Sequence, residues 1–252
     1  MMPPPETMEV ELSPSELERY DRQIMLFGVE GQAKLKKSKV MVAGLGGLGC
    51  PLAIYMTASG VGKLLLIDRE RIELSNLSRQ ILHWTPDVGR LKVESAAEKL
   101  RELNPEVDVE AVAAEISEEN ARELVSEVDL VLDGIDNWKT RFLLNRACVE
   151  LSKPFIHAGV YGMGGQMMTI IPGRGPCLRC LLPRPPPEVR PFPVLGTAPA
   201  VLAALQATEA IKILTGYGEP AVGKLLIYDG YTMSFREVRV SRRPDCPVCA
   251  AL

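Results

Sequence analysis

Histidine is nearly missing from this chain: there are two in 252 residues, His83 and His157, and no shared motif joins them. Hydrolases of the Ser/His/Asp or Cys/His type need an imidazole beside the nucleophile, so that chemistry is a poor fit. An excess of charge is missing as well. With 29 Lys and Arg against 32 Asp and Glu, the net charge of −3 leaves no electrostatic case for nucleic acid as the main ligand. No apolar run is long enough to span a membrane; the longest, Val194 to Leu214, is broken by Thr208, Glu209 and Lys212 and reads as an amphipathic or buried helix. The first residues, Met1-Met2-Pro3-Pro4-Pro5-Glu6, lack the basic and apolar segments of a secretion signal, so the cytoplasm is the expected compartment. Internal repeats are absent, and so is any linker long enough to divide the chain.

What is present reads as one α/β unit. Residues 1–12 are expected to be a flexible N-terminus. Ser13-Pro14-Ser15-Glu16 then opens a helix, with Ser13 as cap, Pro14 at the first turn and Glu16 reaching back; that helix is expected to carry Arg19 to Arg22. Apolar runs at 39–43, 63–68, 107–114, 128–133 and 154–158 read as strands. Helical patterns lie between them near 50–60, 90–103, 117–126 and 138–151. This alternation predicts a doubly wound, Rossmann-like, mainly parallel sheet. Beyond residue 160 the pattern changes to a strand at 166–171, a proline-rich extended loop from Pro183 to Pro193 and a helix over 197–215. Two strands at 224–228 and 234–240 follow, predicted to form an antiparallel C-terminal extension. We expect 13–252 to form a single domain in two halves, 13–158 and 159–252.

Gly44-Leu45-Gly46-Gly47-Leu48-Gly49 sits between the first strand and a helix, the arrangement that lays a phosphate against a helix N-terminus. Asp68 ends the next apolar run at a distance suited to a ribose hydroxyl. Alone, this pair points to a dinucleotide-dependent oxidoreductase. No Gly-Lys-Ser/Thr follows the loop, so cations for a phosphate must come from elsewhere. Arg79, within Ser75-Asn76-Leu77-Ser78-Arg79-Gln80, and Lys92 are the candidates. They follow a parallel strand, on the edge where ligands sit in such sheets. Either would be an ordinary solvated residue anywhere else. Asp136 follows another buried strand and fits two roles on local grounds, the N-cap of the next helix or a Mg²⁺ ligand. Asp133 is the competing carboxylate, although its place at the strand end favours a structural role.

Four of the six cysteines form two C-x-x-C pairs, Cys177/Cys180 and Cys246/Cys249. In a reducing compartment such pairs suggest zinc before disulfides, and two pairs complete a closed Cys₄ site of structural type. It would tie the tail from Pro244 to Cys249 back to the region of residue 178. Cys50 and Cys148 lie on predicted helices and read as small core side chains.

The combination of Arg19-Tyr20-Asp21-Arg22-Gln23, the glycine loop, Ser75 to Gln80, Val88-Gly89-Arg90-Leu91-Lys92, Asp136-Asn137 and both cysteine pairs resembles the MoeB/ThiF/HesA adenylyltransferases. These are relatives of the ubiquitin-activating enzymes, and the molybdopterin-synthase adenylyltransferase branch is the nearest likeness. The resemblance runs from about Arg19 to Cys249. It implies that Asp68 holds the ribose of ATP and that Gly44, Gly46, Gly47 and Gly49 pack against the nucleotide. Asn76, Arg79, Gln80 and Lys92 would surround the phosphates, with Asp136 on Mg²⁺. The arginine matching Arg22 reaches the other subunit's active site in this family, which implies a homodimer. The four cysteines match the family's structural zinc.

The reaction implied is adenylation of the C-terminal carboxylate of a small ubiquitin-like sulfur carrier ending in Gly-Gly, with release of pyrophosphate. A carboxylate is already ionised at neutral pH, so no general base is required and the scarcity of histidine is expected. Many relatives carry a cysteine in the loop matching Pro183–Leu195. Here it has none, and Val189 stands about where one would fall, so the enzyme is expected to stop at adenylation and to rely on a separate sulfur donor. Molybdopterin synthesis is the expected pathway, with thiamine synthesis or tRNA thiolation as alternatives. Three rival readings are a NAD-dependent oxidoreductase, an idle partner subunit and an enzyme that adenylates a small molecule or a tRNA-bound acid.

Overall fold

The computed structural model describes residues 11–187 and 191–250. The helix opened by Ser13 is α1 (Pro14–Arg19), and the expected reciprocal cap is present: Glu16 N–H donates to Ser13 Oγ and Ser13 N–H to the Glu16 carboxylate. It does not continue to Arg22. Tyr20 leaves helical geometry at φ −104 and ψ 13, and α2 (Asp21–Lys37) starts afresh. The break lets the Tyr20 ring bury beneath Gly60 while its hydroxyl accepts a hydrogen bond from Asn104 at 2.8 Å. Residues 1–10 of the expected flexible N-terminus lie outside the described residues. The Glu11 carbonyl is held by Lys36 Nζ.

From there strands and helices alternate: β1 (Lys39–Ala43), α3 (Gly49–Ser59), β2 (Lys63–Ile67), α4 (Lys92–Leu103), β3 (Asp108–Val112), α5 (Ala121–Ser126), β4 (Leu130–Asp133), α6 (Trp138–Glu150) and β5 (Phe155–Tyr161). Helix α5 is shorter than the expected 117–126, because the Asn120 side chain accepts the Ser117 N–H and fixes that stretch as a turn. Gly60, at φ +79, closes α3 in the left-handed conformation open to glycine. The chain continues through β6 (Gly164–Ile170), α7 (Leu178–Leu181), the 19-residue α8 (Thr197–Thr215), β7 (Lys224–Asp229) and β8 (Ser234–Arg239).

All eight strands form one sheet in the order β3-β2-β1-β4-β5-β6-β7-β8. The first five are parallel, and β6, β7 and β8 add antiparallel, as the sequence predicts. Strands β1, β2 and β4 are buried nearly throughout, which suits a parallel sheet with both faces covered. One core packs α3, α4 and α8 on one face; the other packs α5, α6 and the four paired cysteines on the opposite face. Chain order reverses beside β1, which lies between β2 and β4. That reversal is the switch point of the sheet, and ligands bind beyond the strand ends at such points. No described helix is long and apolar enough to cross a membrane.

Candidate active site

The register brings the ends of three strands together, since Ala43 is level with Ile67 on one side and Asp133 on the other. The residue after each end is therefore presented at the same edge: Gly44, Asp68 and Gly134. Gly44 turns the chain at φ +86, and its carbonyl lies 1.8 Å from where a Cβ on Gly49 would stand. A side chain at Gly49 would push α3 away from this turn, and one at Gly44 would strike the Gly134 carbonyl, 2.7 Å from where its Cβ would stand. The Asp68 carboxylate closes the turn, accepting the Leu45 N–H at 2.7 Å on one oxygen and the Glu70 N–H at 2.7 Å on the other. Burial raises the Asp68 pKa, opposed by the Lys92 charge and these two N–H groups.

Gly46 and Gly47 form the open part of the loop and are surrounded by site residues. A Cβ on Gly47 would stand 3.2 Å from Pro199 in the first turn of α8 and 3.6 Å from Arg79 Cγ. Gly196, the cap of α8, lies against the Ser78 carbonyl and Arg79 Cα. The N-termini of α3 and α8 thus meet beside Arg79, and each favours an anion through its free N–H groups and dipole. The part played by α8 was not foreseen; Gly196 and Pro199, at the end of a proline-rich run, were its only trace in the sequence.

Arg79 is half-buried, and its Nη1 donates to the Ser75 carbonyl at 2.9 Å. Asn76 is buried and accepts the Glu73 N–H, fixing the turn that carries Arg79. Gln80 is buried; its amide nitrogen lies 3.9 Å from where a Cβ on Gly46 would be, and its amide oxygen has no hydrogen-bond partner. An unpaired buried acceptor is costly, and a donor supplied by a ligand would satisfy it. Lys92, the first residue of α4, is 3 % exposed at its side chain and pairs with Glu70 at 2.6 Å. Six of the predicted groups therefore converge: the glycine loop, Asp68, Asn76, Arg79, Gln80 and Lys92.

The third loop resolves the two acidic candidates. Asp133 is fully buried, and its carboxylate accepts from Ile135 N–H, Arg141 Nε and His157 Nδ1 at 3.0, 3.1 and 2.6 Å. That carboxylate is committed to the protein, as its strand-end position suggested. The α6 cap is Asn137, whose side chain accepts the Thr140 N–H at 2.9 Å. Asp136 is not the cap, and it stands exposed at the strand edge. An exposed carboxylate at this edge could hold a hard cation such as Mg²⁺.

Arg22 is not brought to this cluster within its own chain. It is exposed on α2, paired loosely with Asp21. Its neighbour Gln23 donates to the Ser59 carbonyl at 2.7 Å, at the C-terminal end of α3. The glycine loop lies at the other end of that 11-residue helix, a separation of about 16 Å. Both histidines are structural. Burial pushes His83 down to about 4 and also lowers His157, so both are neutral near pH 7.

The four paired cysteines meet on the far face of the sheet. Their sulfurs all lie within 4.8 Å of one another, with Cys177–Cys246 at 3.7 Å and Cys180–Cys249 at 3.4 Å. A tetrahedral zinc with bonds of about 2.3 Å would hold its sulfurs about 3.8 Å apart. Burial pushes the Cys177 and Cys249 thiols up, whereas for Cys246 the same burial is outweighed by the N–H groups of Cys249 and Val248 together with the neighbouring thiols, which hold it below its ordinary value. The Arg243 N–H also points at Cys180 Sγ. This cluster could bind a metal ion and is closed to substrate. Cys50 and Cys148 are fully buried, as expected, and burial pushes Cys50 up to about 12. The loop position Val189 lies outside the described residues.

A glycine turn at the sheet's switch point, a strand-end acid, two basic side chains and two converging helix N-termini define a nucleotide-binding α/β enzyme. The ThiF family model matches residues 20–248, and the chain belongs to that family. It is 45% identical to "Sulfur carrier protein adenylyltransferase" of Thermus thermophilus, over 93% of this chain and 91% of that one. It is 44% identical to "SAMP-activating enzyme E1" of Haloferax volcanii, over 96% of this chain and 92% of the relative. With "Adenylyltransferase and sulfurtransferase MOCS3" of Drosophila persimilis it shares 44% identity over 99% of its own length and 56% of the longer protein. Among solved structures it resembles E. coli MccB with ATP, at TM-score 0.82 and 28% identity over 92% of this chain and 74% of that one. The chain is a nucleotidyltransferase.

Proposed function

We propose that this enzyme uses ATP to adenylate the C-terminal glycine carboxylate of a small ubiquitin-like sulfur carrier ending in Gly-Gly. The observation that carries the reading is the convergence of Asp68, Arg79, Gln80, Lys92 and the glycine loop at one strand edge, with Asp136 on the adjoining loop. The names of the relatives support the carrier as substrate. A dinucleotide oxidoreductase would leave Arg79, Lys92 and Asp136 without a role.

In this reading Asp68 holds the ribose, and Gly44, Gly46, Gly47 and Gly49 let the backbone approach ATP. Asn76 and Gln80 line the phosphates, with Arg79 and Lys92 beside them. The carrier carboxylate attacks the α-phosphorus; a P–O bond forms, the bond to the β-phosphate oxygen breaks, and pyrophosphate departs. The protein's part is alignment of two anions and positive charge around the transition state. Mg²⁺, held by Asp136, would neutralise charge on the phosphates. Arg22 acts in the site of the partner subunit, so the working unit is a homodimer. Its distance from the cluster in its own chain supports this.

The cysteine cluster holds a structural zinc in this proposal. Cys50 and Cys148 are too deeply buried to take over from a loop cysteine, so the reaction stops at the acyl-adenylate and a separate protein donates sulfur in the cytoplasm. Molybdopterin synthesis is the preferred pathway, and thiamine synthesis and tRNA thiolation are alternatives. Exchange of labelled pyrophosphate into ATP tests the reading: it should require a carrier ending in Gly-Gly, and no carrier-dependent exchange with any candidate carrier would exclude it.

A further inference from the structure

We propose that Arg141 is a positioning residue: with Asp133 and His157 it forms a buried clamp that fixes the loop presenting Asp136, and thereby sets how tightly Mg²⁺ couples to ATP. The proposal rests on the Mg²⁺ role given to Asp136 above. Arg141 lies one turn inside α6 and reaches back over the loop that precedes it. Its Nε donates to Asp133 Oδ2 at 3.1 Å, and its Nη2 donates to the Ile135 carbonyl and, at 2.9 Å, to the Ala158 carbonyl on β5. One guanidinium therefore joins the end of β4, the middle of the loop and the neighbouring strand.

The loop is held from both sides. Ile135 N–H donates to Asp133 while its carbonyl accepts from Arg141, so the peptide groups flanking Asp136 on its N-terminal side have little freedom. His157 takes the remaining place on Asp133 Oδ2, and Gln206 donates to the Asp133 and Ile156 carbonyls. Trp138 lies against both partners, 5.0 Å from the guanidinium carbon and 5.9 Å from the His157 ring. The side chains of Arg141, Asp133 and His157 are 8%, 0% and 0% exposed. Such an investment of buried charge is unneeded for an ordinary strand-to-helix turn, which Asn137 already caps.

A lysine at position 141 would keep the charge and lose the fork that reaches three acceptors. The test is calorimetry of ATP binding to the full-length protein with and without Mg²⁺, comparing the unaltered chain, Arg141→Lys and Asp136→Ala. The clamp predicts that Arg141→Lys leaves Mg²⁺-free ATP affinity unchanged and removes about 10–100-fold of the Mg²⁺-dependent gain, as loss of supporting partners does at metal sites. Asp136→Ala should remove the gain entirely. An Arg141→Lys protein with the full gain, or one that loses affinity equally with and without Mg²⁺, overturns the clamp. If Arg141→Lys does not fold, His157→Asn is measured the same way, with a smaller loss in the same direction expected and an undiminished gain counting against the proposal. No Mg²⁺-dependent gain in the unaltered chain overturns the clamp and the Asp136 assignment together, whereas absent carrier-dependent exchange with the gain intact removes only the carrier reading.

Discussion

The cysteine cluster and the nucleotide edge lie on the same sheet and are built on opposite terms. The four sulfurs are buried, mutually within 4.8 Å, and leave no place for a further ligand. At the strand edge the polar groups are spread from Gly44 to Asp136 and occupied by stand-ins: Lys92 by Glu70, Arg79 by the Ser75 carbonyl, Asp68 by the loop N–H groups. Gln80 Oε1 is buried without a partner. In our proposal the cysteine cluster is a structural site that satisfies itself, while the strand edge is a catalytic site left to be completed by substrate and by the Arg22 of a second subunit.

The sharpest way to break this comparison is to remove one group from each region. Lys92→Ala should lower carrier-dependent exchange by about 10²–10³-fold with the zinc content and melting temperature little changed. Cys249→Ser should do the reverse, losing zinc and thermal stability, while the protein that stays folded at low temperature keeps exchange within a few-fold. Loss of exchange in fully folded Cys249→Ser would show that the cluster takes part in chemistry.

Mixing tests the incompleteness of the edge directly. Arg22→Ala and Lys92→Ala should each be inactive, yet subunit exchange between them should restore about a quarter of full activity, because random pairing gives half heterodimers with one intact site each. No recovery after demonstrated subunit exchange would place Arg22 outside the partner's site.

A smaller effect concerns acid. His83, held near 4 by burial, is neutral when folded and takes a proton more readily when unfolded, with an ordinary value near 6.5. The unfolded state then binds more protons between those values, so stability should fall as the pH drops from about 6.5 to about 4. His83→Asn should flatten that part of a denaturant-midpoint profile; an unchanged slope would contradict the assignment.

The two regions also differed in how they could be read. Both C-x-x-C pairs announce their chemistry by spacing, and the glycine loop and strand-end acids follow from the period of the strands. The end of α1 at Tyr20 was not legible, because it depends on Asn104 and Gly60, far along the chain. Arg141 carried no signal in the sequence, because its contacts with Asp133, Ile135 and Ala158 arise only once β4 and β5 lie side by side. Asp133 and Asp136 could be ranked in advance by position, but that the Asp133 carboxylate is filled by Arg141 and His157, and that Asn137 caps α6, is visible only in the structure.

One measurement decides whether activation depends on a carrier. Labelled pyrophosphate is supplied with ATP, Mg²⁺ and either an intact carrier ending in Gly-Gly or the same carrier without its last glycine. Exchange into ATP with the intact carrier alone is the predicted result. Exchange that ignores the carrier, or none with any carrier tried, would contradict it.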